Sequence, residues 1–279
     1  MEAPETSESH REREGFFGAA KVVAGLTLLS RVLGMVRDIA IVSLGATRAT
    51  DAFWTAFTVP NLFRRLFGEG AMSASFVPVF TEVAEAGGWP KARLVLANAA
   101  GLLAVILAVI LLVAEVALLA VLLLAPGGWD RQLLLRLLML LFPFMFTVCL
   151  LALGSAALNC KGHFAFPAFA PIVLNSFLIA AALAAHALFP APRTSGLYVL
   201  AAGVVAAGVV QLVGVVWLLR SVELAVVPTL RPALPAVRRI ARLVLPMMVP
   251  LGVMQFSAFF DRFYAWAMTA MPGRETFHL

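Results

Sequence analysis

Residues 30–80 read SRVLGMVRDIAIVSLGATRATDAFWTAFTVPNLFRRLFGEGAMSASFVPVF. Two apolar helical segments are legible in this stretch. Arg31, Arg37, Asp38, Arg48, Asp51, Arg64, Arg65 and Glu69 are set among their apolar positions. What the stretch means depends on the solvent. In water such charges are ordinary. At the centre of a membrane-spanning helix each costs about 2.5–3.5 kcal/mol, so they must pair, snorkel to an interface or face a polar cavity.

Outward from this stretch, the chain is built for lipid. Of its 279 residues 62% are hydrophobic and 13% charged, with a mean hydropathy of +0.97; soluble domains hold about 45–50% apolar and about 25% charged residues. A soluble fold is excluded. Apolar runs fall at 16–44, 52–80, 94–125, 133–158, 166–189, 197–219 and 243–270, and each can supply the roughly 20 residues of a span. The expectation is an all-α polytopic membrane protein of about seven transmembrane helices. Residues 1–15, polar and without the apolar core of a signal peptide, read as a disordered cytoplasmic tail. Residues 16–219 read as a six-helix bundle, 220–242 (RSVELAVVPTLRPALPAVRRIAR) as a basic cytoplasmic linker, 243–270 as a seventh span and 271–279 as an atypical end.

With the N-terminus inside, eleven Lys and Arg residues fall in cytoplasmic segments, five on the opposite side and five within spans. The positive-inside bias therefore places the N-terminus in the cytoplasm. Basic loops also account for the net charge of +6, and no basic run interleaved with aromatics is present to bind nucleic acid. Cys149 and Cys160 fit neither a disulfide framework nor a CxxC site. His10, His163, His186 and His278 are scattered without ligand spacing, and neither a Gly-rich phosphate loop nor an aspartate-rich DDxxD motif occurs. No metal, cofactor or enzymatic chemistry is expected.

Within the opening stretch, Arg31 and Asp38 are seven apart and project from nearly the same helical face, with Arg37 about 100° from Asp38. Pro60, Gly68, Gly70 and Pro78 punctuate the second segment, which predicts a bent or broken helix. Arg65 and Glu69 have i,i+4 spacing for an ion pair, while Arg64 points elsewhere. Asp51 suits a helix cap and dipole partner as well as a functional group. Four arginines against three carboxylates leave a net positive cavity. Guanidiniums gripping diphosphate oxygens would supply strong charge-assisted contacts there, and apolar walls would accept a lipid tail. Asp261 and Arg262, adjacent in the seventh run, suit a cavity role or a structural salt bridge. Glu115, alone in the third, is either protonated or paired with a neighbouring helix.

At residues 30–80 the sequence resembles the MurJ (MviN) family, the lipid II flippases of bacterial cell-wall synthesis within the multidrug/oligosaccharidyl-lipid/polysaccharide exporter superfamily. Weaker echoes continue in LFPFMF (141–146), GSAALNCKGHFAFPAFAPIVLN (154–175) and LVLPMMVPLGVMQFSAFFDRFYAW (243–266). The resemblance implies the first bundle of a two-bundle transporter in the bacterial cytoplasmic membrane. It would move the undecaprenyl-diphosphate-linked peptidoglycan precursor between leaflets by alternating access. By resemblance Arg31, Arg37 and Arg64 hold the diphosphate, with Arg65 and Asn61 of PNLFRR in the same cavity. Asp38, Asp51 and Glu69 are the acidic members, the last two governing gating and pairing. The implied partners are the lipid-linked precursor, membrane lipids and a C-terminal half. Family members carry a YADR-type motif soon after the seventh span, where this chain reads AWAMTAMPGRETFHL (265–279). The chain thus looks like an N-terminal half, truncated or frameshifted. The alternatives are an exporter of another polyprenyl-linked glycan or amphiphile, or a fragment without transport activity.

Overall fold

The computed structural model describes residues 7–45, 47–66, 72–125, 127–189, 194–230 and 235–269. Seven helices follow in order: α1 (Ser7–Val42), α2 (Arg48–Leu66), α3 (Met72–Leu124), α4 (Trp129–Cys160), α5 (Ala165–Leu188), α6 (Gly196–Ser221) and α7 (Pro235–Thr269).

Two contacts establish the course of the punctuated segment. Arg48, at the start of α2, lies 3.5 Å from Asp130 at the start of α4. Thr81, in α3, donates to Cys160 at the end of α4 over 3.7 Å. The numbering offset is 82 in the first pair and 79 in the second. α2 and the first arm of α3 therefore run parallel to α4 as one course through the bundle. The second arm of α3 joins α4 through a short connection and packs along it, so it runs the other way. The reversal is at Gly88, whose φ of 73° and ψ of 168° suit a residue without Cβ. Pro90 opens the second arm, in a first turn where a missing N–H costs nothing. The 51 residues from Ala74 to Leu124 would reach about 77 Å as one straight helix. Folded back at Gly88, the first arm adds about 21 Å to the course begun by α2, and the second arm, about 54 Å long, can by itself cross a hydrocarbon core near 30 Å.

α4 is the centre of the bundle and packs against α2, α3 and α6. α5 bridges α6 to α1, and α7 lies on α2 and α3. Phe53, Phe76, Phe80, Leu137, Leu141, Phe144 and Met145 fill the core without solvent exposure. Glycines set the close approaches. A Cβ on Gly154 would stand 2.9 Å from Val215, and one on Gly208 would collide with the Thr147 hydroxyl and the Phe144 ring. Small residues play this part between membrane helices, where packing supplies much of the association energy. Among the described residues α3 from Ala74, α4, α5 and α6 are long and apolar enough by themselves to cross a membrane. The remaining helices carry most of the ionisable residues singled out above. The chain is a polytopic membrane protein.

Two boundaries differ from the sequence expectation. Residues 7–15, expected as disordered tail, continue α1. Glu and Arg are good helix formers, and extending an existing helix needs no new nucleus. α7 begins at Pro235, so residues 235–242 of the expected linker are helical. Proline is preorganised for a first turn, and Val237 and Ile240 are buried there. Residues 222–230 form a strap held on α3. Leu224 is fully buried, Arg93 donates to the Ala225 carbonyl at 2.9 Å, and the Thr229 N–H donates to the Ala97 carbonyl at 3.1 Å. Gly101 permits this contact, because a Cβ there would collide with the Thr229 backbone. Residues 1–6 and 271–279 lie outside the described residues.

Polar contacts gather at the two ends of the bundle. At the end holding the α4–α5 turn, Arg239 pairs with Glu82 at 2.7 Å and the Lys161 ammonium sits 3.7 Å from the Trp89 ring centroid. The Arg48–Asp130 pair lies at the other end. α1 packs chiefly along α5, and although α1 and α2 are consecutive they do not pack along one another. They meet where Arg37 of α1 lies against the Trp54 ring of α2.

Candidate functional site

Arg37 projects from α1 toward α2 and α5 with its side chain 20% exposed. Its Nε and Nη2 donate to Oδ1 of Asp38 at 2.9 and 2.7 Å, and Nη1 donates to Oδ1 of Asn175 at 2.9 Å. The guanidinium carbon lies 5.8 Å from the Trp54 ring centroid on α2, within cation–π range. Adjacent residues on a helix point about 100° apart, so Arg37 meets Asp38 by curling its long stem. Asn175, buried on α5, completes the node by donating Nδ2 to the Ser30 carbonyl of α1 at 2.9 Å. One amide side chain thus ties α5 to α1 and orients a cation.

Arg31 stands six residues earlier on α1, exposed and without a hydrogen bond or ion pair among the described residues. On α2, Nε of Arg64 donates to Oδ1 of Asn61 at 2.8 Å, and Arg65 is exposed beside it. α1 and α2 run in opposite directions across a short connection, with Arg37 level with Trp54. At 1.5 Å per residue, Arg31 then falls level with about residue 60, and Arg64 about 6 Å further along. Arg31, Asn61 and Arg64 are thus within about 6 Å of one another in height, while Arg31, six residues from Arg37, is turned about 120° from it around α1.

Other candidate residues lie elsewhere. Asp51 is exposed in the first turn of α2 but does not cap it; Thr47 does, its hydroxyl accepting the Thr50 N–H at 3.4 Å. A hydroxyl one residue outside the helix has the geometry for capping, whereas Asp51 is already inside the first turn. Asp261 is exposed on α7 without a partner among the described residues. Glu69 and the Arg262 side chain lie outside the described residues, and with them the expected Arg65–Glu69 and Asp261–Arg262 pairs. Among the described residues no cluster of His, Cys, Asp and Glu could hold a metal ion.

Asn175 and Trp54 are members of the site that residue-by-residue reading did not single out. The signal for Asn175 was a lone amide closing the apolar run APIVLN (170–175), since a polar side chain within a span needs a partner.

Residues 41–273 match the family model described as lipid II flippase MurJ. The chain belongs to the MurJ family. A probable lipid II flippase MurJ of Vibrio cholerae is 34% identical over 257 residues, which are 88% of this chain and 48% of that protein. One from Bdellovibrio bacteriovorus is 35% identical over 273 residues, 94% of this chain and 50% of that protein. The lipid II flippase MurJ of Burkholderia cenocepacia is 36% identical over 252 residues, 86% and 48% of the two chains. The chain spans about half the length of these curated MurJ relatives. In fold it is similar to a lipid II flippase MurJ solved in an inward closed conformation, with a TM-score of 0.65 at 19% identity over 88% of this chain and 50% of that one. An outward-facing MATE multidrug resistance transporter of the MOP superfamily gives a TM-score of 0.64 at 18% identity, over 88% and 56%. The fold shared by MurJ and MATE transporters is thus the fold of this chain.

Proposed function

We propose that this chain is the arginine-bearing bundle of a lipid II flippase, which moves the diphosphate-linked peptidoglycan precursor across the bacterial cytoplasmic membrane. The observation that carries the reading is the pair of arginines on α1 in a chain of the MurJ family, Arg37 clamped by Asp38 and Asn175 and Arg31 exposed. Arg31, Arg37 and Arg64, with Arg65 and Asn61 beside them, bind the diphosphate through charge-assisted hydrogen bonds. Holding Arg37 before the ligand arrives lowers the ordering cost of binding. Asp38 occupies part of the Arg37 fork and yields it when a phosphate oxygen competes. Asp38, Asp51, Glu69, Asp261 and Arg262 serve gating and ion pairing.

The N-terminus is cytoplasmic, as the sorting of basic residues favours. A second bundle, present in the length of the curated relatives, closes the cavity for alternating access. The chain performs transport rather than catalysis, drawing on an ion gradient or the membrane potential, the latter worth about 2.3 kcal/mol per charge per 100 mV.

The test is growth of cells depleted of their own flippase that carry a full-length flippase whose first half is this chain. Rescue is expected with the native sequence and loss of rescue with Arg31→Ala or Arg37→Ala at normal membrane abundance. Undiminished rescue by both variants would remove these two arginines from the mechanism.

A further inference from the structure

Glu115 is the one ionisable residue in the unbroken apolar run 99–125, three positions from its midpoint. That offset is about 5 Å along the helix, less than a snorkelling glutamate would need to reach either interface. Around it the second arm of α3 presents Val109, Leu112, Val113 and Val116 as exposed apolar side chains, a surface with no group to solvate a charge. Glu115 itself is only partly exposed, and its Oε1 atom is covered without a hydrogen-bond partner among the described residues.

Among the described residues no charge compensates it. The element packed along this arm is α4, whose nearby charged residues are Asp130, Arg131 and Arg136. Asp130 is engaged by Arg48, and Arg131 and Arg136 are exposed. The short α3–α4 connection sets Glu115 level with about residue 138, so Arg136 is the nearest in height, yet it makes no ion pair with Glu115. α7 meets α3 through the first arm, at Ser75 and Glu82, beyond the reversal at Gly88. An ionised carboxylate with a covered, unpartnered oxygen in hydrocarbon is strongly disfavoured relative to the neutral acid.

We propose that Glu115 is an intramembrane proton-binding site at the seam of α3 and α4, occupied at neutral pH. Its ligand is a single proton, held as a carboxylic acid. A neutral acid in an apolar seam reacts with a membrane-partitioning carbodiimide. The acid proton moves to a carbodiimide nitrogen, the carboxyl oxygen bonds the central carbon, and the acyl group then migrates from oxygen to nitrogen. The product is a stable N-acylurea, and nothing leaves.

The experiment treats the full chain in lipid vesicles with dicyclohexylcarbodiimide and maps adducts by mass spectrometry. A Glu115 adduct is expected that is absent in Glu115→Gln and that changes less than about threefold between about pH 6 and about pH 8. An ordinary glutamate loses its acid form about 100-fold over that range. Labelling that falls in this ordinary way overturns the proposal. A rise of tenfold or more in Arg136→Gln also overturns it, because it would show an ion pair with Arg136. Infrared difference spectra between native chain and Glu115→Gln provide a second reading. The carbonyl band of a protonated acid is expected at about pH 8, and the absence of both band and adduct sinks the idea.

Discussion

One Arg37 guanidinium serves Asp38 and Asn175 and lies against Trp54, whereas Arg31 on the same helix is exposed and has no partner among the described residues. The two arginines should therefore respond differently to mutation. Asn175→Leu leaves Arg37 Nη1 and the Ser30 carbonyl without their buried partner, and is expected to lower stability by about 1–3 kcal/mol. Arg31→Ala removes no hydrogen bond or ion pair among the described residues and is expected to stay within about 0.5 kcal/mol, while abolishing transport. Thermal unfolding of the purified variants compares them; equal shifts would dissolve the distinction between a clamped and a poised cation. The arginines were legible in the sequence because a charge in an apolar run has a cost that can be counted locally. Asn175 was not, because its partnership with Arg37 joins residues 138 positions apart, and no local pattern specifies such a pair.

At the scale of elements, Pro60, Gly68, Gly70 and Pro78 announced an interrupted second segment. Its direction came from the Arg48–Asp130 and Thr81–Cys160 contacts, which carry the chain through the bundle before Gly88 turns it back. The strap over 222–230 shows the limit of composition more sharply. Three prolines and five arginines in 220–242 read as a linker, yet its backbone is bonded to α3 because residue 101 is glycine. Gly101→Val is expected to lift the strap at a cost of about 1–3 kcal/mol, the usual range for overpacking a close contact. Hydrogen exchange at the Thr229 amide and tryptic cleavage after Arg220 should both accelerate. An unchanged Thr229 exchange rate would mean that the strap is held by its other contacts.

For the whole molecule, alternating helix directions put the α4–α5 turn and the strap at one end and the α1–α2 and α3–α4 connections at the other. With the N-terminus cytoplasmic, Ser195→Cys in the α5–α6 connection should react with an impermeant maleimide from outside intact cells, and Ser221→Cys only after lysis. Both would be built in a chain with Cys149 and Cys160 replaced, since these are free thiols. The reverse pattern would invert the topology and the direction of transport with it.

By itself the sequence determined that this chain belongs in a bilayer, which segments are apolar and helical, and which charges stand among them. Those outcomes follow from transfer free energies summed over consecutive residues, which need no knowledge of neighbours in space. Only the tertiary structure decided that α1 and α2 stand apart, that Asn175 and Trp54 hold Arg37 between them, and that Arg31 and Glu115 have no partner among the described residues. In lipid, where apolar faces are nearly interchangeable, packing at small residues and a few buried hydrogen bonds select the neighbours, and those choices are made between helices rather than along them.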